Sequence, residues 1–261
     1  ADLRAFDLTS LGTKFDVILI DPPWEEYRRR CPGAVVENAK RVVWSMEEIT
    51  GLRIETISAN PGFLFLWVGS AEGLQEGRRM LAKWGFRRCE DIAWVKCNRE
   101  EKTREQYDKG MHEDTILQHV SEHCLMGIRG HVRRSTDHHL IHANCDTDVI
   151  ISEEPSYGRY SAPFAMIIDS SRKPEELYEI IERFCLGRRR LELFGMDHNI
   201  RPGWVTVGNE LTTSNWDRDL YQSNFQSKED TLLGFDQRIE DLRPKSPTPQ
   251  QRSGPPSGAQ G

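Results

Sequence analysis

Short, nearly unbroken apolar runs alternate with amphipathic stretches along most of the chain. Residues 15–20 (FDVILI), 63–68 (FLFLWV) and 91–96 (DIAWVK) are rich in branched and aromatic side chains. Runs of this length and composition suit strands buried on both faces of a parallel sheet. Residues 123–128, 148–152, 190–194 and 204–207 are further strand candidates. Between them, residues 71–84 set Leu74, Arg78, Leu81 and Trp84 at helical spacing, with Gly85 as the C-cap. A second helix opens at residues 171–174 with Pro174 at its first position. Its apolar stripe is Leu177, Ile180, Ile181 and Phe184, and Gly187 ends it. The alternation predicts an α/β fold with a mainly parallel central sheet.

Composition narrows this picture. With 261 residues, 37% hydrophobic and 29% charged, the chain can bury one sizeable core. Its start at Ala1 rather than Met leads us to expect an excised piece. No stretch nears the roughly 20 apolar residues of a membrane span, and no signal-peptide pattern opens the chain. Residues 99–118 and 129–147 are polar and aperiodic, the pattern of long functional surface loops. A folded domain is expected over 1–226. Residues 227–261 are polar and end in a low-complexity run at 244–261 that cannot bury a core, so a disordered tail is expected.

The 6 cysteines form no CxxC pair and several sit in apolar runs, which predicts buried, reduced thiols of an intracellular protein. His138, His139 and His142 lack matching cysteines, and no metal site is expected. A net charge of -6 argues against nucleic acid. Arginine nevertheless recurs in groups at 28–30, 78–79, 87–88, 133–134 and 188–190. Each group alone reads as a solvated end beside acids such as Glu90 and Asp91; together they point to a polyanion surface.

The chemistry-bearing motif is Asp21-Pro22-Pro23-Trp24, directly after the first apolar run. Ligands of open α/β sheets bind at this carboxyl end of the strands. Two prolines stiffen the turn and remove two amide donors. What they leave is a carboxylate, carbonyls and an indole. The exocyclic amine of adenine is a poor nucleophile, because its lone pair is delocalised into the ring. Hydrogen bonds from that amine to Asp21 and to the Pro22 carbonyl would localise the lone pair for attack on a methyl sulfonium. An indole face can hold a base by stacking, at about 1–3 kcal/mol per base. Alone, the tetrapeptide reads equally as a structural turn with Trp24 in the core.

Longer stretches decide more. Lys14–Asp21 (KFDVILID), 62–98, 122–127 (EHCLMG), 133–137 (RRSTD), 141–144 (IHAN), 184–195 (FCLGRRRLELFG) and 201–204 (RPGW) resemble the eukaryotic adenine-N6 methyltransferase family of MT-A70 type. Within it the likeness is strongest to the methyltransferase-like protein 14 branch. The resemblance implies a Rossmann-like S-adenosylmethionine-dependent fold in permuted order, with the catalytic strand early and residues 191–195 as a late strand whose Gly195 lets the cofactor approach. It places Asp2 and Leu3 near the cofactor's adenine, Asp21 near its amino group and Lys173 near its carboxylate. His198, Asn199, Asn209 and Glu210 fall along its ribose and adenine side. Trp94 and Asn98 frame the acceptor base with Trp24, and Arg87, Arg88, Arg133 and Arg134 line a nucleic-acid groove. It further implies a nuclear heterodimer with a paralogous methyltransferase-like subunit.

Animal members of this branch carry Glu-Pro-Pro-Leu in place of the motif, whereas this chain keeps Asp21-Pro22-Pro23-Trp24. In that respect it resembles the ciliate and early-fungal enzymes that modify DNA adenine. Met196 and Glu210 stand where the catalytic messenger-RNA enzymes carry Arg and Gln. The expectation is therefore methyl transfer to the N6 amine of adenine in DNA. The alternatives are the same reaction on mRNA and a non-catalytic nucleic-acid-binding scaffold.

Overall fold

A strand that reads FDVILI has Asp16 as its one polar side chain, so it folds only where both of its faces are largely covered. In the computed structural model this strand, β1 (Phe15–Ile20), lies inside a seven-stranded sheet with the order β5-β3-β4-β2-β1-β6-β7. The structure describes residues 1–25, 43–69, 71–97, 120–132, 141, 145–153, 172–185, 188–214 and 216–225. The loop expected at 99–118, much of that at 129–147, and the tail at 227–261 lie outside the described residues.

The other strands are β2 (Ser58–Gly69), β3 (Arg87–Lys96), β4 (Ser121–Arg129), β5 (Val149–Ser152), β6 (Arg190–Leu193) and β7 (Trp204–Val207). The helices are α1 (Met46–Thr50), α2 (Ala71–Lys83), α3 (Glu176–Phe184) and α4 (Arg218–Ser223). β1 pairs in parallel with β2 and β6, β6 with β7, and β3 with β5. Among the described strands only β4 runs against its neighbours, β2 and β3. The sheet is thus mainly parallel and Rossmann-like, and the early strand β1 lies beside the late strand β6. β1, β2, β3, β6 and β7 all end at one edge.

Side-chain alternation sorts the core into two layers. On one face Ile18, Ile20, Leu64, Leu66, Leu125, Leu191 and Leu193 meet Met80, Leu81 and Trp84 of the α2 region and Ile49 of α1. On the other, Val17, Leu19, Phe63, Phe65, Trp67 and Met126 meet Leu177, Tyr178 and Ile181 of α3. Two details differ from the sequence expectation. α3 begins at Glu176, so Pro174 precedes the helix rather than opening it; Gly187 lies outside the described residues. On α2, Arg78 is exposed and the buried face runs through Gly73, Gly77, Met80 and Leu81. Cys124 and Cys185 are buried free thiols, whereas Cys145 is exposed. No described helix is long and apolar enough to cross a membrane.

Candidate active site

β1 delivers Asp21 to the carboxyl edge of the sheet, where the Asp21 amide donates to the Leu193 carbonyl of β6 at 3.4 Å. The turn that follows is pinned on three sides. The Trp24 amide donates to the Pro22 carbonyl at 2.9 Å, and the Trp44 amide to the Pro23 carbonyl at 3.3 Å. The Trp24 indole Nε1 donates to the Trp67 carbonyl of β2 at 2.8 Å. Trp24 is 3% exposed and belongs to the core. An indole so placed anchors the turn; it presents no face to a base. The stacking role read from the sequence does not fit this position. Trp94 is likewise fully buried, with Nε1 donating to Ser152 Oγ at 3.0 Å and so tying β3 to β5. Asn98 lies outside the described residues.

Asp21 heads a row of alternating charges. Lys173 Nζ, just ahead of α3, stands 3.5 Å from Asp21 Oδ1 and 3.2 Å from Glu122 Oε2 on β4. Lys96 Nζ at the end of β3 stands 2.6 Å from Glu122 Oε1. The two ammonium groups lie over aromatic rings, Lys96 at 4.8 Å from the Trp94 centroid and Lys173 at 5.7 Å from that of Trp67. Glu122 is fully buried and Lys173 nearly so, whereas the Asp21 side chain is 18% exposed. Buried charges persist only when paired. The row therefore holds its charge inside the fold and opens at Asp21. Lys96 and Glu122 were not singled out from sequence. Their only signal is a charge at the end of an otherwise apolar strand.

The remaining cofactor candidates converge on the same edge. The Ala1 backbone nitrogen donates to the Gly208 carbonyl, which sets Asp2 and Leu3 beside the exposed pair Asn209 and Glu210. Asp197 accepts from the Thr212 amide at 2.9 Å and hydroxyl at 2.7 Å, tying that loop to the turn carrying His198 and Asn199. These two bonds hold the Asp197 carboxyl below its usual range. Gly195 meets a packing need as well. A Cβ there would stand 2.2 Å from Thr206 Cγ2, and one on Gly208 would stand 1.9 Å from the Gly195 carbonyl oxygen. The two glycines let the ends of β6 and β7 approach each other.

One further group was missed from sequence. Glu192 on β6 is 2% exposed, and burial pushes its carboxyl up to about 8. The Tyr178 hydroxyl bond opposes that shift and the Asp21 charge adds to it.

The opposed charges of Asp21 and Lys173 fit a ligand carrying an ammonium and a carboxylate on one carbon, the amino-acid end of S-adenosylmethionine. The arginine groups divide. Arg189, about a third exposed, makes a bidentate pair with Asp16 at 2.7 and 3.1 Å, and Arg190 is buried. Arg79 pairs with Glu76 on α2. Arg87 and Arg88 are exposed at the start of β3, the end away from Asp21. The groups at 28–30 and 133–134, with Arg133 and Arg134, lie outside the described residues.

A family model described as MT-A70 matches residues 15–210. The N(6)-adenosine-methyltransferase non-catalytic subunit METTL14 of Drosophila melanogaster is 52% identical over 250 residues, 95% of this chain and 59% of that protein. That of Danio rerio is 50% identical over 249 residues, 95% of this chain and 51% of that protein. The N(6)-adenosine-methyltransferase catalytic subunit METTL3 of Homo sapiens is 34% identical over 210 residues, 80% of this chain and 30% of that protein. The chain spans about half the length of the METTL14 relatives it matches.

Proposed function

The chain belongs to the MT-A70 family, and from that premise we propose that it is a subunit of an N6-adenosine methyltransferase complex that keeps an S-adenosylmethionine pocket of its own. The couple of half-buried Asp21 and buried Lys173 at the carboxyl edge carries this reading. A carboxylate and an ammonium side by side recognise an α-amino acid by charge, and the pinned turn holds Asp21 without further ordering cost. The relatives are named for adenosine, a ribonucleoside, which favours RNA over DNA as the nucleic acid. Their names also favour a supporting role beside a paralogous catalytic partner.

A second reading, that this chain itself transfers the methyl group, rests on the intact Asp21-Pro22-Pro23-Trp24 turn. The cofactor supplies the methyl as a sulfonium electrophile. The chain's part is to hold the acceptor amine. The Pro22 carbonyl uses one lone pair on the Trp24 amide, and its second can accept one amine N–H while the Asp21 carboxylate accepts the other.

One experiment separates the readings. The chain, alone and with its partner, is titrated calorimetrically with S-adenosylmethionine, then assayed on matched RNA and DNA oligonucleotides. Cofactor uptake that Asp21→Asn weakens at least tenfold supports the pocket. No uptake by the wild type sinks it. Loss of methyl transfer in Asp21→Asn, with folding intact, assigns catalysis to this chain; full activity assigns it to the partner.

A further inference from the structure

Glu192 is the buried acid that neither reading uses. It sits at register with Leu19 of β1, on the sheet face that α3 covers. Its Oε1 accepts from the Tyr178 hydroxyl at 2.8 Å. That hydroxyl accepts from Asn199 Nδ2 at 2.9 Å, and Asn199 Oδ1 accepts from the Met196 amide at 2.8 Å. Donors and acceptors run in one direction, from the turn through the tyrosine into the core. Glu192 Oε2 has no hydrogen-bond partner among the described residues. A buried carboxyl with one oxygen unsatisfied is a poor choice for stability alone, since a leucine would avoid the desolvation cost. What the arrangement secures is the other end of the chain of bonds, the short 3-10 turn Asp197–Asn199 beside the cofactor pocket.

We propose that Glu192 is a positioning residue of the cofactor pocket: through the Tyr178 hydroxyl it locks the Asn199 amide, and Asn199 in turn fixes the Met196–Asn199 backbone against which the cofactor's ribose end rests. The clause about the cofactor rests on the proposed pocket; the locking of the turn does not. Tyr178 is well placed for the middle position. Its ring is clamped between Trp204, at 5.4 Å between centroids, and the Arg201 guanidinium at 3.3 Å. Removing the hydroxyl alone therefore leaves the ring where it is.

The test uses the full chain. Hydrogen–deuterium exchange over residues 195–200 is read without cofactor, and the S-adenosylmethionine dissociation constant is read calorimetrically with the partner subunit present. Tyr178→Phe should speed exchange of the Met196 amide about tenfold and weaken cofactor binding about tenfold, while the chain stays folded. Glu192→Gln keeps a carbonyl acceptor for the tyrosine and should restore wild-type values in both. Glu192→Ala should behave like Tyr178→Phe. Wild-type exchange in Tyr178→Phe overturns the proposal, and so does a Glu192→Gln variant as impaired as Tyr178→Phe. If the wild type takes up no cofactor, the pocket reading fails, and the exchange rates still decide whether the turn is locked.

Discussion

A carboxyl that stays protonated in the folded chain and ionises in the unfolded one makes stability depend on pH. Glu192 has this property, with its carboxyl raised from 4.5 to about 8. The charges that act on it are Asp21 from β1, Glu175 from the α3 side and Arg201 ahead of β7, with the Tyr178 hydroxyl in direct contact. Between those two values the native chain binds the extra proton. The contribution of this group is therefore full below pH 4.5 and falls as pH rises, by up to about 1.4 kcal/mol per pH unit, until the folded group ionises. Glu192→Gln removes the titrating group and should flatten this part of the profile. Denaturant melts of both proteins at about pH 5, 6.5 and 8 measure it; equal slopes would mean that Glu192 ionises as easily folded as unfolded. This residue was invisible in the sequence because it reads as one polar position inside Leu191-Glu-Leu-Phe194. Its partners come from α3 and from the turn after its own strand, and only packing brings them together. Asp21 was legible because a strand followed by two prolines states its position locally. Trp24 reads equally as platform or peg, and the bond to the Trp67 carbonyl on a distant strand chooses the peg.

Strand positions were legible from apolar runs; burial on both faces holds for β1 and most of β2 but not for β3, where Ile92 and Trp94 alone are buried. Strand direction was not legible. Nothing in the run at 123–128 tells that β4 is reversed. The contact face of α2 was legible at Leu74, Leu81 and Trp84 but not at Arg78, which is exposed. Helical spacing marks large apolar residues, yet the closest approach to β2 is made by residues with no side chain. A Cβ on Gly73 would stand 1.7 Å from the Val68 carbonyl oxygen, a backbone atom held in the sheet. A Cβ on Gly77 would meet Val68 Cγ1 at 2.4 Å and Leu125 Cδ1 at 3.0 Å, both side-chain ends that can turn away. Overpacking costs about 1–3 kcal/mol, and alanine in place of glycine returns up to about 1 kcal/mol of helix propensity. Gly73→Ala should therefore destabilise the fold by about 2 kcal/mol or more, and Gly77→Ala by less than about 1 kcal/mol. Denaturant midpoints rank the two. The reverse order would show that α2 slides along β2 to accommodate the Gly73 change.

Across the whole molecule, the exposed basic pair and the acidic turn sit at opposite ends of the sheet. Lys96 closes β3 at the Asp21 edge through Glu122 and Lys173, while Arg87 and Arg88 open the same strand. At about 3.3 Å per residue the strand holds them roughly 30 Å apart. A single adenine in the pocket at Asp21 cannot be touched by Arg87 or Arg88. Under the proposed function, their charge would serve either nucleic acid running well beyond the target base or a site completed by another subunit. The two proposed tasks should then separate by mutation. Arg87→Ala with Arg88→Ala should weaken binding of a single-stranded RNA by the complex and leave the S-adenosylmethionine dissociation constant unchanged. Every phosphate that the variant no longer neutralises should flatten the slope of log affinity against log salt by about 0.7. Asp21→Asn should do the opposite, weakening the cofactor and sparing the salt slope. Filter or fluorescence titrations at several salt concentrations read the first quantity, and calorimetry the second. An arginine variant with an unaltered salt slope would remove this end of the sheet from the nucleic-acid surface. A shared weakening of both ligands would mean that the two ends communicate through the strand.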